Sequence, residues 1–162
     1  MAKLIDMLTK IAQGVRDTGW KEVTYGEGVK AYSDTTKLKY RRIGNTVTLM
    51  GAATTTSALL ADAGDNKPLI TTLPTGFRPQ ADVVFVNQCN GTLMFTTRIS
   101  PNGNVVAERL RNIDSAKNSY ESFQASGAWL PIDVTFITDD PFPSGGGYRL
   151  RRFARLGRRC AA

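Results

Sequence analysis

One stretch decides the fold, and it reads Lys37-Leu38-Lys39-Tyr40-Arg41-Arg42-Ile43-Gly44-Asn45-Thr46-Val47-Thr48-Leu49-Met50-Gly51. Apolar and polar residues alternate on both sides of Gly44-Asn45, and a period of two is typical of strands that are buried on one face. A two-residue connection that contains glycine is typical of tight β-turns. The stretch therefore predicts a β-hairpin rather than a helix.

The same pattern recurs toward the C-terminus. Asn90-Gly91 predicts a second hairpin and Pro101-Asn102-Gly103-Asn104 a third. The strand-like segments around these turns are Asp82 to Cys89, Thr92 to Ile99 and Val105 to Leu110, and an alternating run follows at Leu130, Ile132, Val134 and Phe136. Residues 67–79 and 111–127 are expected to be the two longer connections. Strands at this spacing without intervening helices predict an all-β fold, an antiparallel β-sandwich of jelly-roll-like type.

The N-terminal segment has a different period. Its apolar residues recur at spacings of three and four and form one stripe, which consists of Leu4, Met7, Leu8, Ile11 and Val15. The spacing predicts a short amphipathic helix that ends near Gly19. So short a helix is marginal alone in water. Two arrangements follow: the stripe packs on its own domain, or it bundles with copies of itself, which the coiled-coil spacing favours.

Composition excludes several classes of protein. The 162 residues contain no histidine and only two cysteines, Cys89 and Cys160, far apart in the sequence. Ser/His and Cys/His nucleophile pairs and imidazole metal sites are therefore excluded. Asp139 and Asp140 are adjacent, so on a strand they would point to opposite faces. We expect no enzyme, no cofactor and no metal. No apolar run is long enough to cross a bilayer, and the first residues do not form a signal peptide, so we expect synthesis in the cytoplasm.

The formal net charge of +7 is concentrated at the C-terminus. Six arginines lie there without any acidic residue: Arg149, Arg151, Arg152, Arg155, Arg158 and Arg159. Residues 1–148 keep 15 basic residues against 14 acidic ones, which is close to neutral. Ser144-Gly145-Gly146-Gly147 precedes this tail and predicts a flexible linker. The tail is expected to contact a neighbour in an assembly. Binding to nucleic acid ranks second.

One loop contains oxygen ligands that could bind a cation. Asp62, Asp65 and Asn66 lie close together beside glycine, and Ca²⁺ binds to such oxygens. The spacing does not match an EF-hand and supplies too few carboxylates, so a solvated turn is the preferred interpretation.

Three segments carry a resemblance to a known family. They are Leu38-Lys39-Tyr40-Arg41-Arg42-Ile43-Gly44-Asn45-Thr46-Val47-Thr48-Leu49, Leu73-Pro74-Thr75-Gly76-Phe77-Arg78-Pro79 and Thr138-Asp139-Asp140-Pro141-Phe142-Pro143. Together with Gly19-Trp20 at the start and Ile99-Ser100-Pro101-Asn102-Gly103 between them, they resemble, in order, the head domains of minor tail proteins of tailed bacteriophages, especially those of actinobacteria. The resemblance spans roughly residues 19–143.

The resemblance implies a trimeric virion protein at the tail tip, fibre or baseplate that takes part in host-surface attachment. The chain is expected to have three parts: a helical neck (1–18), a β-sandwich head (19–143), and a hinge with an Arg-rich tail (144–162). The expected partners are copies of the chain, other virion proteins and host cell-wall polysaccharide, without membrane insertion. A capsid decoration protein is the alternative function, and a nucleic-acid-binding module is a more distant one.

Polar residues near two hairpin ends are the candidate contacts for a saccharide: Asn87, Gln88, Asn90, Arg98 and Asn102. Three aromatic residues, Tyr120, Phe123 and Trp129, could add a stacking platform. Packing in the core or at an interface is the preferred interpretation for these three. The motif residues themselves are expected to define the fold, with Phe77 buried and one of Arg41 and Arg42 paired with a carboxylate.

Overall fold

The computed structural model describes residues 3–8, 16–114, 119–125 and 127–144. A short helix, α1, covers residues 3–8. The strands follow in chain order: β1 Lys21–Glu22, β2 Val29–Ala31, β3 Lys39–Ile43, β4 Thr46–Thr55, β5 Leu59–Leu60, β6 Leu69–Thr72, β7 Val83–Gln88, β8 Leu93–Ile99, β9 Asn104–Asn112, β10 Ser122–Phe123 and β11 Leu130–Ile137. The all-β prediction is confirmed.

Two antiparallel sheets form the sandwich. Sheet A has the order β1-β3-β4-β11, and β2 pairs with the second half of the long strand β4. Sheet B has the order β6-β9-β8-β7, a Greek-key arrangement, since the hairpin strands β7, β8 and β9 are joined by β6 at the far edge. A small pair, β10 with β5, lies apart from both sheets.

The three predicted hairpins are present. In the first, Ile43 pairs with Thr46, so Gly44 and Asn45 are the two turn residues. Gly44 has a φ of 59° at the first of these positions, which is the conformation that a type II′ turn requires of glycine. The other two turns connect β7 to β8 and β8 to β9.

The prediction of two long connections is partly wrong. Residues 67–79 contain β6, which pairs with β9, and residues 111–127 contain the end of β9 and the strand β10. Both missed strands are at most four residues long, and β6 directly follows Pro68. Such short segments have too few residues to show a period of two, and their pairing with β9 and β5 comes from the tertiary fold.

Alternate residues of the two sheets fill the core. Sheet A supplies Leu49, Leu130, Ile132 and others, and sheet B supplies Phe95, Ile99 and others, all of them fully or almost fully buried. Phe95 meets Phe123 edge to face, with ring centroids 5.6 Å apart. Each large apolar side chain buried in this way contributes about 1.5–3 kcal/mol, so packing between the sheets dominates stability.

Helix α1 buries no apolar face within one chain. Its four apolar residues, Leu4, Ile5, Met7 and Leu8, are 54–62% exposed. The other two members of the predicted stripe, Ile11 and Val15, lie outside the described residues, as does the chain from 145 to 162 with its six arginines. Among the described residues, none belongs to a helix with the length and apolar character needed to cross a membrane.

Candidate functional site

The polar residues proposed as saccharide contacts lie at two separate places. Asn87, Gln88 and Asn90 lie at the turn that precedes β8, whereas Arg98 and Asn102 lie at its other end. Seven residues of extended strand separate the two turns by about 20 Å. The structure therefore does not bring the five residues together into one site.

These side chains also have partners within the chain. The Asn87 amide donates to the Thr97 hydroxyl at 2.8 Å, and the Gln88 amide donates to the Gly91 carbonyl at 3.1 Å. Asn90 donates to the Gly127 carbonyl, and the Asn102 side chain accepts from the Asn104 amide. Such bonds hold the turns in shape. Saccharide contact by these residues stays a prediction.

The three candidate stacking residues are also apart. Phe123 is buried in the core, as the packing interpretation expects. Tyr120 lies beneath the Arg111 guanidinium, which is 4.6 Å from its ring centroid and donates to its hydroxyl at 3.0 Å. Trp129 precedes the core residue Leu130, so it faces outward from sheet A. The three rings do not form one platform.

The Asp62 loop is built by its own hydrogen bonds. One carboxylate oxygen of Asp62 accepts from the amides of Gly64 and Asn66, and the other accepts from the Asn66 side chain at 2.7 Å. The bond from the Asn66 side chain, with help from the two amides, holds the pKa of Asp62 below its usual range. The carboxylate is thus satisfied by the loop, and no group of three potential metal ligands occurs within the described part of the chain.

We predict that chelation leaves the protein unchanged. Because the donors of the Asp62 loop come from the loop itself, removal of a cation should not shift the melting temperature. The measurement is a thermal melt with and without EDTA. A drop of several degrees that Ca²⁺ restores would contradict the prediction and assign a cation to Asp62 and Asp65.

A shallow, open groove lies on the outer face of sheet B. It has a volume of about 380 Å³ and runs across β7, β8 and β9. We call it the Arg109 groove, and it is lined by Val86, Met94, Phe95, Thr96, Arg109, Arg111 and Ile113. Val86 and Ile113 are 68% and 62% exposed, so the groove combines uncovered apolar surface with two guanidinium groups.

A β-bulge at Arg109 creates this groove. Thr96 pairs with Glu108, but Met94 pairs with Arg111, so β9 has one residue more than β8 in this interval. Val105 and Ala107 face the core, and unbroken alternation would turn Arg109 and Arg111 inward after them. The extra residue resets the alternation, since Leu110 becomes the buried residue and both arginines lie on the groove.

Arg109 is the only non-glycine residue with a positive φ among those described, at 57°. The left-handed region costs an ordinary residue about 1–2 kcal/mol. Two backbone bonds hold the segment there: the Arg109 amide donates to the Asp62 carbonyl at 3.1 Å, and the Leu110 amide donates to the Ala61 carbonyl at 2.9 Å. Strain of this kind is often found at functional sites.

A buried carboxylate lies beside the groove. Glu108 is completely buried, and three cationic side chains approach it: Arg98 at 2.8 Å, Arg109 at 3.6 Å and Lys67 at 3.7 Å. Arg98 also pairs with Asp82 at 2.8 Å, and its hydrogen bonds to the two carboxylates raise its pKa above the usual value. The surroundings of Glu108 are thus rich in positive charge, and the Arg109 side chain remains half exposed.

The site residues predicted from the sequence do not include those of this groove. The signal for it is a change in apolar spacing, because Val105 and Ala107 are two residues apart whereas Leu110 follows only after three. Chemically, the groove suits a ligand that has an anionic group for a guanidinium and an apolar or C–H face for Val86 and Ile113.

A second cluster explains the motif residues. The Arg42 side chain is 5% exposed and donates to three carbonyls: to Gly44 at 2.7 Å, to Gly76 at 2.5 Å and to Pro141 at 3.3 Å. Its guanidinium lies over the Phe142 ring, 5.0 Å from the centroid. Burial lowers the pKa of Arg42, and the charges of Asp140 and Asp139 raise it in turn.

The loop from Leu73 to Pro79 closes around this arginine. The Asp140 carboxylate accepts from the amides of Gly76 and Arg78 at 2.8 and 3.2 Å. Phe77 is buried and meets Tyr40 edge to face, with ring centroids 4.8 Å apart. All three resemblance segments thus meet in what we call the Arg42 cluster: Arg42, Gly76, Phe77, Asp140 and Phe142. These residues hold the fold together.

The neighbouring arginine has a different role. Arg41 binds Asp17 through two hydrogen bonds, at 2.9 and 2.5 Å, and lies 5.7 Å from the centroid of the Trp20 ring. The hydrogen bond from Arg41 lowers the pKa of the Asp17 carboxyl. Of the two arginines, Arg41 is the one that pairs with a carboxylate, and it does so at the surface.

Gly76→Ala should destabilise the Arg42 cluster. Gly76 has a φ of 96°, and a Cβ atom there would lie 2.6 Å from Cγ of Pro143. Strain and overpacking together should cost about 2–3 kcal/mol of unfolding free energy. Gly91→Ala is the matched control, because Gly91 also has a positive φ but no atom within 4 Å of the added Cβ. If urea titrations showed the same loss of unfolding free energy for both variants, close packing around Gly76 would be contradicted.

Comparison with solved structures finds matches for this chain. The chain is similar to the crystal structure of the receptor binding protein (gp15) of Listeria phage PSA, with a TM-score of 0.44, 13% sequence identity, and coverage of 80% of this chain and 73% of that chain. No protein-family model matches the sequence, and no curated protein matches it.

Proposed function

We propose that this chain is a non-enzymatic structural protein of a tailed-bacteriophage virion, located at the tail, whose β head contacts the host surface. The sequence resemblance supports the virion role. Its segments are distant in the sequence, yet Arg42, Gly76 and Asp140 meet in one hydrogen-bonded cluster. The resemblance therefore concerns positions that hold the fold together rather than scattered surface residues.

The Arg109 groove is the observation that supports attachment best. A strained, half-exposed arginine beside an uncovered apolar wall is costly to maintain in a purely structural surface. Bacterial surface polysaccharides that contain carboxylate or phosphate groups offer both an anion for the guanidinium and C–H faces for the wall. We therefore propose an anionic cell-wall polysaccharide as the ligand class.

Arg109→Gly tests this proposal, since it separates binding from folding. Glycine accepts a φ of 57° without strain, so the variant should fold at least as stably as the wild type. It removes the guanidinium, so binding to cell-wall polysaccharide from the host strain should fall at least tenfold. The measurements are a polysaccharide pull-down and competition between the purified protein and phage for adsorption to cells.

Lys21→Ala is the control, because it removes the same charge from exposed strand β1 of the other sheet. Equal binding by Lys21→Ala and wild type is expected. Wild-type protein that neither binds polysaccharide nor slows adsorption would contradict the attachment function. If Arg109→Gly bound polysaccharide as well as the wild type, the groove would be excluded as the binding site, but the attachment function would not be contradicted.

We further propose that the chain is a homotrimer with helix α1 as its neck. The exposed apolar residues of α1 support this, because a partner chain would bury four side chains that are 54–62% exposed in the single chain. The trimer is the state that the sequence resemblance implies.

The Arg-rich tail is proposed to attach the protein to its particle. Its six arginines follow the Ser144–Gly147 linker, and guanidinium groups suit carboxylate-rich partners. Deletion of residues 149–162 should leave the melting temperature and oligomeric state unchanged but reduce incorporation into virions. Normal incorporation would contradict the anchoring role, and salt-dependent DNA binding that disappears with the deletion would support the nucleic-acid alternative.

A further inference from the structure

The outer face of sheet A is unusually apolar for a surface in contact with water. Five of the large exposed hydrophobic residues lie on this one face: Trp20, Ile43, Met50, Trp129 and Ile137, each 40–55% exposed. The strand register places Ile43, Met50 and Ile137 there, because each alternates along its strand with a residue that faces the core. Trp20 and Trp129 directly precede β1 and β11, and the Trp20 ring lies beside Arg41 of the same face. Ile43, Thr46 and Ile137 form one cross-strand row, and Lys39, Met50 and Asp133 form another.

A half-buried antiparallel sheet normally shows polar residues on its open face. In the middle of this face, the hydroxyls of Thr48 and Thr135 lie 3.2 Å apart across the strands. An apolar sheet face with a polar surround is typical of a protein–protein interface.

The charges of the face indicate what covers it. Lys30 and Lys39 lie on the side of β2 and β3, whereas the exposed Asp133 lies on the opposite side, on β11. None of the three is in an ion pair with another described residue.

The acidic residues on the side of β1 and β3, Glu22 and Asp17, are paired with Lys37 and Arg41. The unpaired charges therefore leave that side basic and the β11 side acidic. A second copy of the same chain, docked side to side, brings unlike charges together, whereas a polyanion would meet Asp133.

The face is large enough to form part of an interface between copies of the chain, but not all of it. From Thr46 to Met50 on β4 and across three strands, it covers roughly 200 Å² in projection, from the spacings of strands and residues. Further along β4, the outward residues Ala52 and Thr54 are buried. A stable pairwise interface needs about 800 Å² from each partner. The face alone is therefore too small, and a second contact region is required, which the exposed apolar residues of α1 provide.

We propose that the outer face of sheet A packs against a neighbouring copy of this chain, so that heads as well as necks form the trimer interface. This inference rests on the proposed homotrimer and adds the surface by which the heads meet. It leaves the Arg109 groove, on the opposite sheet, open to a ligand.

Both tryptophans of the chain, Trp20 and Trp129, lie on this face, so their fluorescence reports on it directly. In the assembled full-length protein, acrylamide should quench tryptophan fluorescence at least twofold less than in the dissociated protein. If the heads do not touch, association through the neck alone would leave quenching unchanged.

The matched variants are Met50→Asp and Val86→Asp, because both residues are exposed apolar strand residues but Val86 lies on sheet B. In sedimentation experiments on the full chain, Met50→Asp should associate at least tenfold more weakly than the wild type. Val86→Asp should associate as strongly as the wild type. Thr135→Arg is a second variant on an exposed position of the face, in case Met50→Asp impairs folding.

The outcomes separate this inference from the proposed function. A wild-type trimer that Met50→Asp and Thr135→Arg both leave intact would overturn the head interface but keep the neck. A wild-type protein that is monomeric at all concentrations would overturn the trimer itself. Loss of polysaccharide binding by Arg109→Gly is measured independently of either result.

Discussion

Arg42→Met is expected to lower the free energy of unfolding by about 3 kcal/mol or more. The substitution keeps an unbranched apolar chain but leaves the carbonyls of Gly44, Gly76 and Pro141 without their donor. Each unsatisfied buried acceptor costs about 1–3 kcal/mol. For a chain of this size the loss corresponds to a fall in melting temperature of roughly 10 °C, measured at matched protein concentration.

Arg41→Met is the control for this experiment. Arg41 is adjacent in the same strand, but its ion pair with Asp17 lies at the surface, where such pairs contribute little. Its melting curve should stay close to that of the wild type. If both substitutions lowered stability equally, the Arg42 cluster would not be the element that joins the three motif segments.

Leu8→Asp is expected to convert the proposed trimer into monomer at micromolar concentration. The charge would enter the apolar stripe of the neck, and buried unpaired charges are strongly unfavourable. Light scattering measures the change in mass. After correction for the effect of protein concentration on the melting temperature, the head of the variant should melt at nearly the same temperature as that of the wild type. The reason is that α1 buries no apolar residue against its own head.

Ile5→Asp is the control in the neck. Ile5 is exposed on the same helix to a similar degree, 62% against 54% for Leu8, but it lies off the stripe formed by Leu4 and Leu8. This variant should remain trimeric. Equal dissociation of the two variants would mean that the stripe does not define the seam of the neck.

The parts of the fold that the sequence predicts are those with local causes. The turn at Gly44-Asn45 can be predicted from the sequence, because a positive φ and a two-residue loop require particular residue types. The alternation of apolar and polar residues on either side of the turn then gives the strand register. The late strand β11 is equally clear, since four apolar residues alternate with Pro131, Asp133 and Thr135.

The missed parts have causes that are distant in the sequence. Strand β6 is too short to show a period and forms because β9 offers an edge to pair with. The burial of Arg42 depends on carbonyls of Gly76 and Pro141, which are 34 and 99 residues away. The Arg109 groove depends on a bulge that the Asp62 segment holds in place, and only the altered spacing before Leu110 hints at it.

The position of the protein in the particle tests the central claim most directly. Gold-labelled antibodies against the β head, applied to intact virions and viewed by electron microscopy, should mark the tail tip, fibre or baseplate, and soluble head protein should abolish the label. Labelling spread over the capsid face would contradict a tail attachment protein and favour the capsid decoration protein instead.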